Sequence, residues 1–184
     1  MRVVAGKYRA KKLNEFSLGS TRPTLDRVKE AIFSSIQFDL MGATVLDLFS
    51  GTGALGIEAI SRGAKLTYFV DNERKAIEII KSNLKGISEE YKVCFFDYMN
   101  FLKENVNLKF NVVLLDAPFK TDYAENAIDF LINNDMIEQN GVIVFEKDYN
   151  KEYTKTFNGY KRTDKKYGTV GVVFFRKESW YEIY

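Results

Sequence analysis

The stretch Thr44-Val45-Leu46-Asp47-Leu48-Phe49-Ser50-Gly51-Thr52-Gly53-Ala54-Leu55-Gly56-Ile57-Glu58-Ala59 constrains this chain more than any other. Its apolar opening predicts a strand, which breaks into a glycine turn and restarts as a helix from about Ala54. Glycines at 51, 53 and 56 have the spacing by which backbone turns tightly, approaches a ligand closely and packs a new helix on its strand. Alone, the pattern fits any tight strand-to-helix turn. Here a second apolar run, Leu66 to Val70, ends at Asp71. In an open parallel sheet the carboxyl ends of the strands face the ligand crevice, so the stretch reads as a ligand cradle.

Asp47 selects the ligand. The same glycine pattern serves nicotinamide cofactors, but a carboxylate just before the turn would hold two anions close in a poorly solvated crevice if a pyrophosphate bound there. It suits a cation. S-adenosylmethionine carries an ammonium and a sulfonium, so Asp47 can attract its amino-acid end while N–H groups of the turn, around Phe49, Ser50, Gly51 and Gly53, hold its carboxylate. Asp71, with Asn72 beside it, stands where a carboxylate takes both ribose hydroxyls. Asp97, followed by Tyr98, ends a third predicted strand, Lys92 to Phe96, and is placed to accept a hydrogen bond from the adenine amino group; a helix cap accounts for it equally well.

Composition narrows the chemistry further. The 184 residues include no histidine and one cysteine, Cys94, which excludes histidine triads, His-ligated metals, cysteine zinc clusters and an internal disulfide. Cys94 lies in an apolar run and is expected in the core. No apolar run has signal-peptide or membrane-span length, so a cytoplasmic protein without a bound metal is expected. The length suits one domain, 21–184, preceded by a small basic arm, 1–20. The net charge of +2 hides a division: residues 1–30 carry eight Lys/Arg against three Asp/Glu, and 147–177 carry nine against three. The acidic middle holds ten basic and seventeen acidic side chains. Basic ends around an acidic core predict a polyanionic substrate docked on the ends and a cationic cofactor in the middle.

The arm, Arg2 to Leu13, reads as a hairpin or bent strand pair around Ala5-Gly6 that buries little. Lys7, Tyr8, Arg9, Lys11 and Lys12, with Arg22 further on, are candidate RNA contacts, the lysines and arginines for phosphates and Tyr8 for a stacked base. Thr21-Arg22-Pro23-Thr24 starts a helix with Thr24 as its expected N-cap, and Glu73 to Leu84 predicts another. A fourth strand, Phe110 to Leu115, ends in Asp116-Ala117-Pro118-Phe119. An exocyclic base nitrogen is a poor nucleophile because its lone pair is delocalised into the ring. Asp116 and the carbonyl of Ala117 can accept its two N–H bonds and stabilise developing positive charge, Pro118 stiffens the turn, and Phe119 stacks on the extruded base. A helix over Thr121 to Ile132, a strand over Gly141 to Phe145 and an antiparallel hairpin turning at Tyr167-Gly168 follow. The tail, Glu178 to Tyr184, carries no reading.

These blocks resemble the bacterial small-subunit ribosomal RNA guanine-N2 methyltransferases, the RsmD-like family, over nearly the whole chain. Four stretches carry the resemblance: Arg2 to Leu13, Thr21 to Glu30, Asp47 to Ala59, and Asp116 to Phe119. The first two are the more specific; the third is shared by most class I methyltransferases. Ala117 stands where the family usually has a first proline, which keeps the carbonyl and loses stiffness. The resemblance implies a class I methyltransferase fold, a Rossmann-like α/β sheet of seven mostly parallel strands with an antiparallel C-terminal hairpin. It also implies S-adenosylmethionine as cofactor and one guanine of 16S rRNA as target, methylated by a monomer within an assembling small subunit. The rivals are an adenine-N6 methyltransferase on DNA or RNA, and a catalytically silent RNA-binding assembly factor. Cytosine-C5 methylation needs a thiolate nucleophile, and the single thiol lies in the third strand.

Overall fold

Apolar runs alternating with amphipathic helices build a parallel sheet, because each helix carries the chain back to the start of the next strand. In the computed structural model the described residues are 1–16 and 23–179. Helix α1 (Pro23–Ser35) and a 3-10 turn (Gln37–Asp39) lead into β1 (Thr44–Leu48). Then come α2 (Ala54–Ser61), β2 (Leu66–Asp71), α3 (Arg74–Asn83), β3 (Glu90–Phe95), α4 (Tyr98–Glu104), β4 (Phe110–Leu115) and α5 (Tyr123–Asn133). The chain closes with β5 (Ile137–Asp148) and the hairpin β6 (Tyr160–Tyr167) and β7 (Val170–Lys177). The strands lie in the order β3-β2-β1-β4-β5-β7-β6. β1 to β5 pair in parallel, while β7 runs antiparallel to both β5 and β6. This is the expected seven-stranded class I methyltransferase sheet. Its order reverses between β1 and β4, which opens the crevice there.

Both faces are covered, so the central strands are apolar throughout. On one face Val28, Ile32, Phe33 and Ile36 of α1 pack on Val45, Leu114, Val144 and Phe174. On the other, Phe101 and Leu102 of α4 and Ile128 and Leu131 of α5 pack on Leu46, Val113, Ile143 and Phe145. Each such side chain contributes about 1.5–3 kcal/mol by leaving water.

Several elements differ from the sequence reading. Helix α1 spans Pro23–Ser35, so Thr24 lies within it rather than capping it, and Thr21 and Arg22 lie outside the described residues. Helix α4 bears out the cap reading of Asp97, but at seven residues it is too short for its extent to show as a period. Strand β5 is twelve residues long: it starts at Ile137, paired with Phe110 across a register shift, and pairing with β7 carries it through polar residues beyond Phe145. Cys94 is half-buried on the edge strand β3 rather than in the core.

The N-terminal segment is a docked loop. Arg2 and Lys12 form an antiparallel bridge, and Val3 and Leu13 share a buried cluster with Ile57, Ile60 and Phe69. Backbone N–H groups of Val4 and Ala5 donate to the fully buried Glu58 carboxylate at 2.8 and 3.0 Å. Arg62 Nε at 2.8 Å and Lys29 Nζ at 3.4 Å complete its shell. Gly6 is in the left-handed region, and a Cβ there would lie 1.9 Å from the Ser61 carbonyl oxygen. The expectation that this segment buries little is therefore wrong; a buried acid on α2 anchors it.

Candidate active site

The cradle is held by its own polar atoms. Asp47, 1% exposed, accepts the Gly56 N–H through Oδ2 at 2.9 Å, tying the end of β1 to the first turn of α2. Gly56 is needed there because a Cβ would sit 2.3 Å from the Phe69 ring and 2.9 Å from Asp47 Oδ2. Ser50 is buried, donates to the Asp47 carbonyl and accepts from Val70 N–H, so its hydroxyl is structural. Phe49 has φ of 69°, costly for a bulky residue. Its ring lies 5.0 Å from that of Tyr98 and stacks at 6.4 Å on Tyr123, an aromatic wall that the sequence reading only half identified.

Not every N–H of the turn is available to a ligand. Phe49 and Ser50 donate to the Val70 carbonyl, Gly51 to Asp71 Oδ2 and Gly53 to the Ser50 carbonyl. Among the described residues no acceptor meets the N–H groups of Thr52, Ala54 and Leu55, at the positive end of α2. The expected carboxylate contacts thus move from the turn to the start of the helix. Asp71 accepts from Gly51 through one oxygen and from Glu73 N–H through the other, and each oxygen retains a second lone pair for a ribose hydroxyl. Asp97 caps α4, its Oδ1 accepting from Met99 and Asn100, which leaves Oδ2 for the adenine amine.

Two cavities meet at these strand ends. The larger, about 640 Å³, is lined by Asp71, Asn72, Asp97, Tyr98 and Tyr123. The smaller, about 270 Å³, is lined by Asp47, Thr52, Ala54, Leu55, Asp26 and Glu146. Asp116, Phe49 and Gly51 border both. Ala117, Pro118 and Phe119 wall the larger one, and no donor among the described residues meets the Ala117 carbonyl.

The smaller cavity is acidic. Burial is the main cause that pushes Asp47 up to about 7, with Asp116 and Asp71 adding to it and the Gly56 N–H opposing it. Burial pushes Asp116 up to about 6. Its carboxyl is nonetheless open to the solvent-filled crevice, so that effect is felt in full only when a ligand closes the site. Lys29, beside them, is taken by Glu58 and the Arg2 carbonyl. A cationic ligand fits such a pocket and a pyrophosphate does not.

The expected RNA contacts are dispersed. Lys7 pairs with Glu89 at 2.6 Å, the Tyr8 hydroxyl donates to Glu89, and Lys11 Nζ donates to the Lys85 carbonyl. All three lie on the connection entering the amino end of β3, at the sheet edge opposite the crevice. Arg9 and Lys12 are exposed, and Arg22 is outside the described residues. The basic segment 147–177 is largely neutralised in place: Lys151 by Asp122 and Glu125, Lys155 by Asp129, Arg162 by Asp164, Arg176 by Asp39, Lys177 by Asp135. Among the described residues no helix is long and apolar enough to cross a membrane, and no cluster of three or more acids or cysteines is arranged to hold a metal ion.

Residues 1–176 match a family model described as Conserved hypothetical protein 95. A Bacillus subtilis protein with the provisional name rRNA methyltransferase YlbH is 37% identical over 182 residues, covering 96% of this chain and 99% of its own. Ribosomal RNA small subunit methyltransferase D of Haemophilus influenzae is 34% identical over 180 residues, covering 96% and 92%. A solved Haemophilus influenzae structure, provisionally titled a methylase, superposes with a TM-score of 0.81 at 32% identity, over 97% of this chain and 98% of that one. A T. thermophilus 16S rRNA guanine-N2 methyltransferase solved with AdoMet and guanosine shares the fold, with a TM-score of 0.71 at 20% identity over 89% of this chain and 45% of that one.

Proposed function

The chain belongs to the family described as Conserved hypothetical protein 95, whose relatives include ribosomal RNA small subunit methyltransferase D, and from that premise we propose that it methylates 16S ribosomal RNA. In this reading it transfers the methyl group of S-adenosylmethionine to the exocyclic N2 of one guanine, acting as a cytoplasmic monomer on the assembling small subunit. One observation supports the reading: Asp116 borders both cavities, so its carboxylate stands between the two halves of the proposed cofactor site and at the head of the loop proposed to hold the acceptor.

When bound, S-adenosylmethionine supplies an electrophilic methyl group on a sulfonium. The acidic wall of Asp47 and Asp116 suits its positive charges, and the free N–H groups of Thr52, Ala54 and Leu55 suit its carboxylate. Asp71 takes the ribose and Asp97, beside Asn72 and Tyr98, the adenine edge. On the acceptor side, Asp116 and the Ala117 carbonyl take the two N2 hydrogens and aim the nitrogen lone pair at the methyl carbon. Transfer of that methyl would leave the sulfur neutral and the positive charge on the amine. Asp116, pushed up toward 6 by burial once the site is closed, stabilises that charge and can take the departing proton at neutral pH. Phe119, 39% exposed at the rim, stacks on the base. RNA contacts fall to Arg9, Lys12 and Arg22, with Lys7, Tyr8 and Lys11 joining them only on exchanging their internal partners.

The test is nucleoside mass mapping of 16S rRNA from a strain lacking the gene. One N2-methylguanine should disappear, and purified protein with S-adenosylmethionine should restore it on subunits from that strain. An unchanged methylation map would refute the reading.

A further inference from the structure

Strand β5 carries an acid that the sequence reading left out. It read the strand as ending at Phe145, but β5 continues through Glu146, which lines the smaller cavity together with Asp47 and Asp116. Glu146 also borders the pocket behind Ala117, Pro118 and Phe119, so it lies between the cavity of Asp116 and the far side of the proposed target-base loop.

The sheet register fixes its placement. Leu114 of β4 pairs with Asp47 of β1 and with Val144 of β5, and all three belong to the α1 face. The pairing runs to Leu115 and Phe145; the next residues are Asp116, directly after β4, and Glu146, still in β5, and both line the smaller cavity with Asp47. Neighbouring strands lie about 4.8 Å apart, so two acceptors stand at a spacing suited to adjacent donors of one ligand.

No internal role accounts for Glu146. Among the described residues no side chain or backbone group donates to its carboxylate. The cations nearby are engaged elsewhere: Lys29 by Glu58, Lys151 by Asp122 and Glu125, and Lys147 by the carbonyls of Asp148, Tyr149 and Lys151. Burial first, then Asp116 and Asp47, hold its carboxyl well above the ordinary range, as befits an acid lacking the donor it is built to meet.

We infer that Glu146 is the residue by which this site reads guanine, its carboxylate accepting the N1–H of the target base while Asp116 and the Ala117 carbonyl hold the N2 amine. The inference rests on the guanine-N2 reading above. Guanine presents N1–H directly beside its amine, two donors facing two acceptors. Adenine presents a lone pair at N1 beside its amine, and that lone pair meets the carboxylate with like polarity. A well-formed pair of this kind discriminates by about ten- to a hundredfold.

The base 2-aminopurine separates the possibilities, since it keeps the methyl-accepting 2-amino group and replaces N1–H by an acceptor. Small subunits are reconstituted around 16S RNA bearing guanine or 2-aminopurine at the methylated position. The wild type should prefer guanine by at least tenfold. Glu146→Gln, which offers an N–H donor, should reduce or reverse that preference by at least tenfold, and Glu146→Ala should bring guanine down toward 2-aminopurine. The missing O6 affects every variant alike and cancels in the ratio. Both bases are compared at saturating S-adenosylmethionine, so any change in cofactor affinity cancels in the ratio. An unchanged preference in either variant, or equal loss on both bases, overturns the inference. A wild type that methylates no guanine N2 refutes the underlying reading instead.

Discussion

Asp47→Asn should make the ligand-free protein more stable and the enzyme worse. Asp47 is almost sealed from solvent, accepts one backbone N–H and faces Asp116, Asp71 and Glu146, with Lys29 beside it already paired to Glu58. Its folded pKa of about 7 lies above the unfolded 3.8, so its contribution to stability is complete below about pH 3.8 and is lost as pH rises through about 7. At about 1.4 kcal/mol per tenfold, that loss is about 4 kcal/mol above pH 7. Asparagine keeps an acceptor for the Gly56 N–H, gives Asp116 or Glu146 a donor and removes the ionisation. Urea denaturation should therefore find the variant about 2–4 kcal/mol more stable than wild type at pH 8 and nearly equal to it at pH 4. Calorimetry at pH 8 should show S-adenosylmethionine binding weakened at least tenfold, because the variant lacks the anion its ammonium would neutralise. Stability curves that run parallel between pH 4 and pH 8 would refute the claim that Asp47 is a buried, unneutralised acid.

Asp116→Ala should cut turnover by about 3 kcal/mol of barrier or more, measured by single-turnover methylation at saturating cofactor so that the loss of its share of the acidic wall does not enter; near-normal turnover would remove Asp116 from the chemistry. Asp71→Ala should weaken S-adenosylmethionine binding by roughly 1.5–3 kcal/mol and, because Asp71 also accepts from Gly51 and Glu73, lower the melting temperature as well. Affinity unchanged by calorimetry would move the ribose off this strand end. Glu58→Ala leaves Lys29, Arg62 and two backbone N–H groups without their acceptor, and should cost about 3–5 kcal/mol and expose residues 1–13 to proteolysis. A stable variant with a protected N-terminus would mean that Val3 and Leu13 alone hold the loop.

What could be read from the sequence was local. The strand-to-helix cradle, Asp71 at the end of β2 and Asp116 at the end of β4 each announce themselves within a dozen residues, through an apolar run, a glycine spacing and an acid. What escaped depended on partners distant in sequence. Glu58 looks like an ordinary polar position of α2 until Val4 and Ala5, more than fifty residues earlier, deliver their N–H groups to it. Tyr123 gives no signal until folding sets it 6.4 Å from Phe49. The charge division had the same limit: the basic excess of 147–177 looked available to a polyanion, but acids at α5 and the 3-10 turn engage Lys151, Lys155 and Arg176.

Glu146 belongs to that second class, and the reason bears on how the site is built. A strand that ends in an acid is conspicuous when its last apolar residue precedes a turn, as in β4; β5 instead runs on through Glu146, Lys147 and Asp148, paired to β7, so its acid looks like polar overhang. Only the register puts it level with Asp116 on the face that already holds Asp47. Asp47 of β1 and Glu146 of β5 thus stand on strands, and Asp116 follows directly on the last residue of β4, so the three carboxylates share one wall whose spacing is set largely by the sheet. Side-chain and loop motion can then close the crevice on its ligands without disturbing the spacing of the acids that receive them. The repulsion among these acids weakens the empty protein, and a cationic cofactor beside a base that donates N–H bonds relieves it.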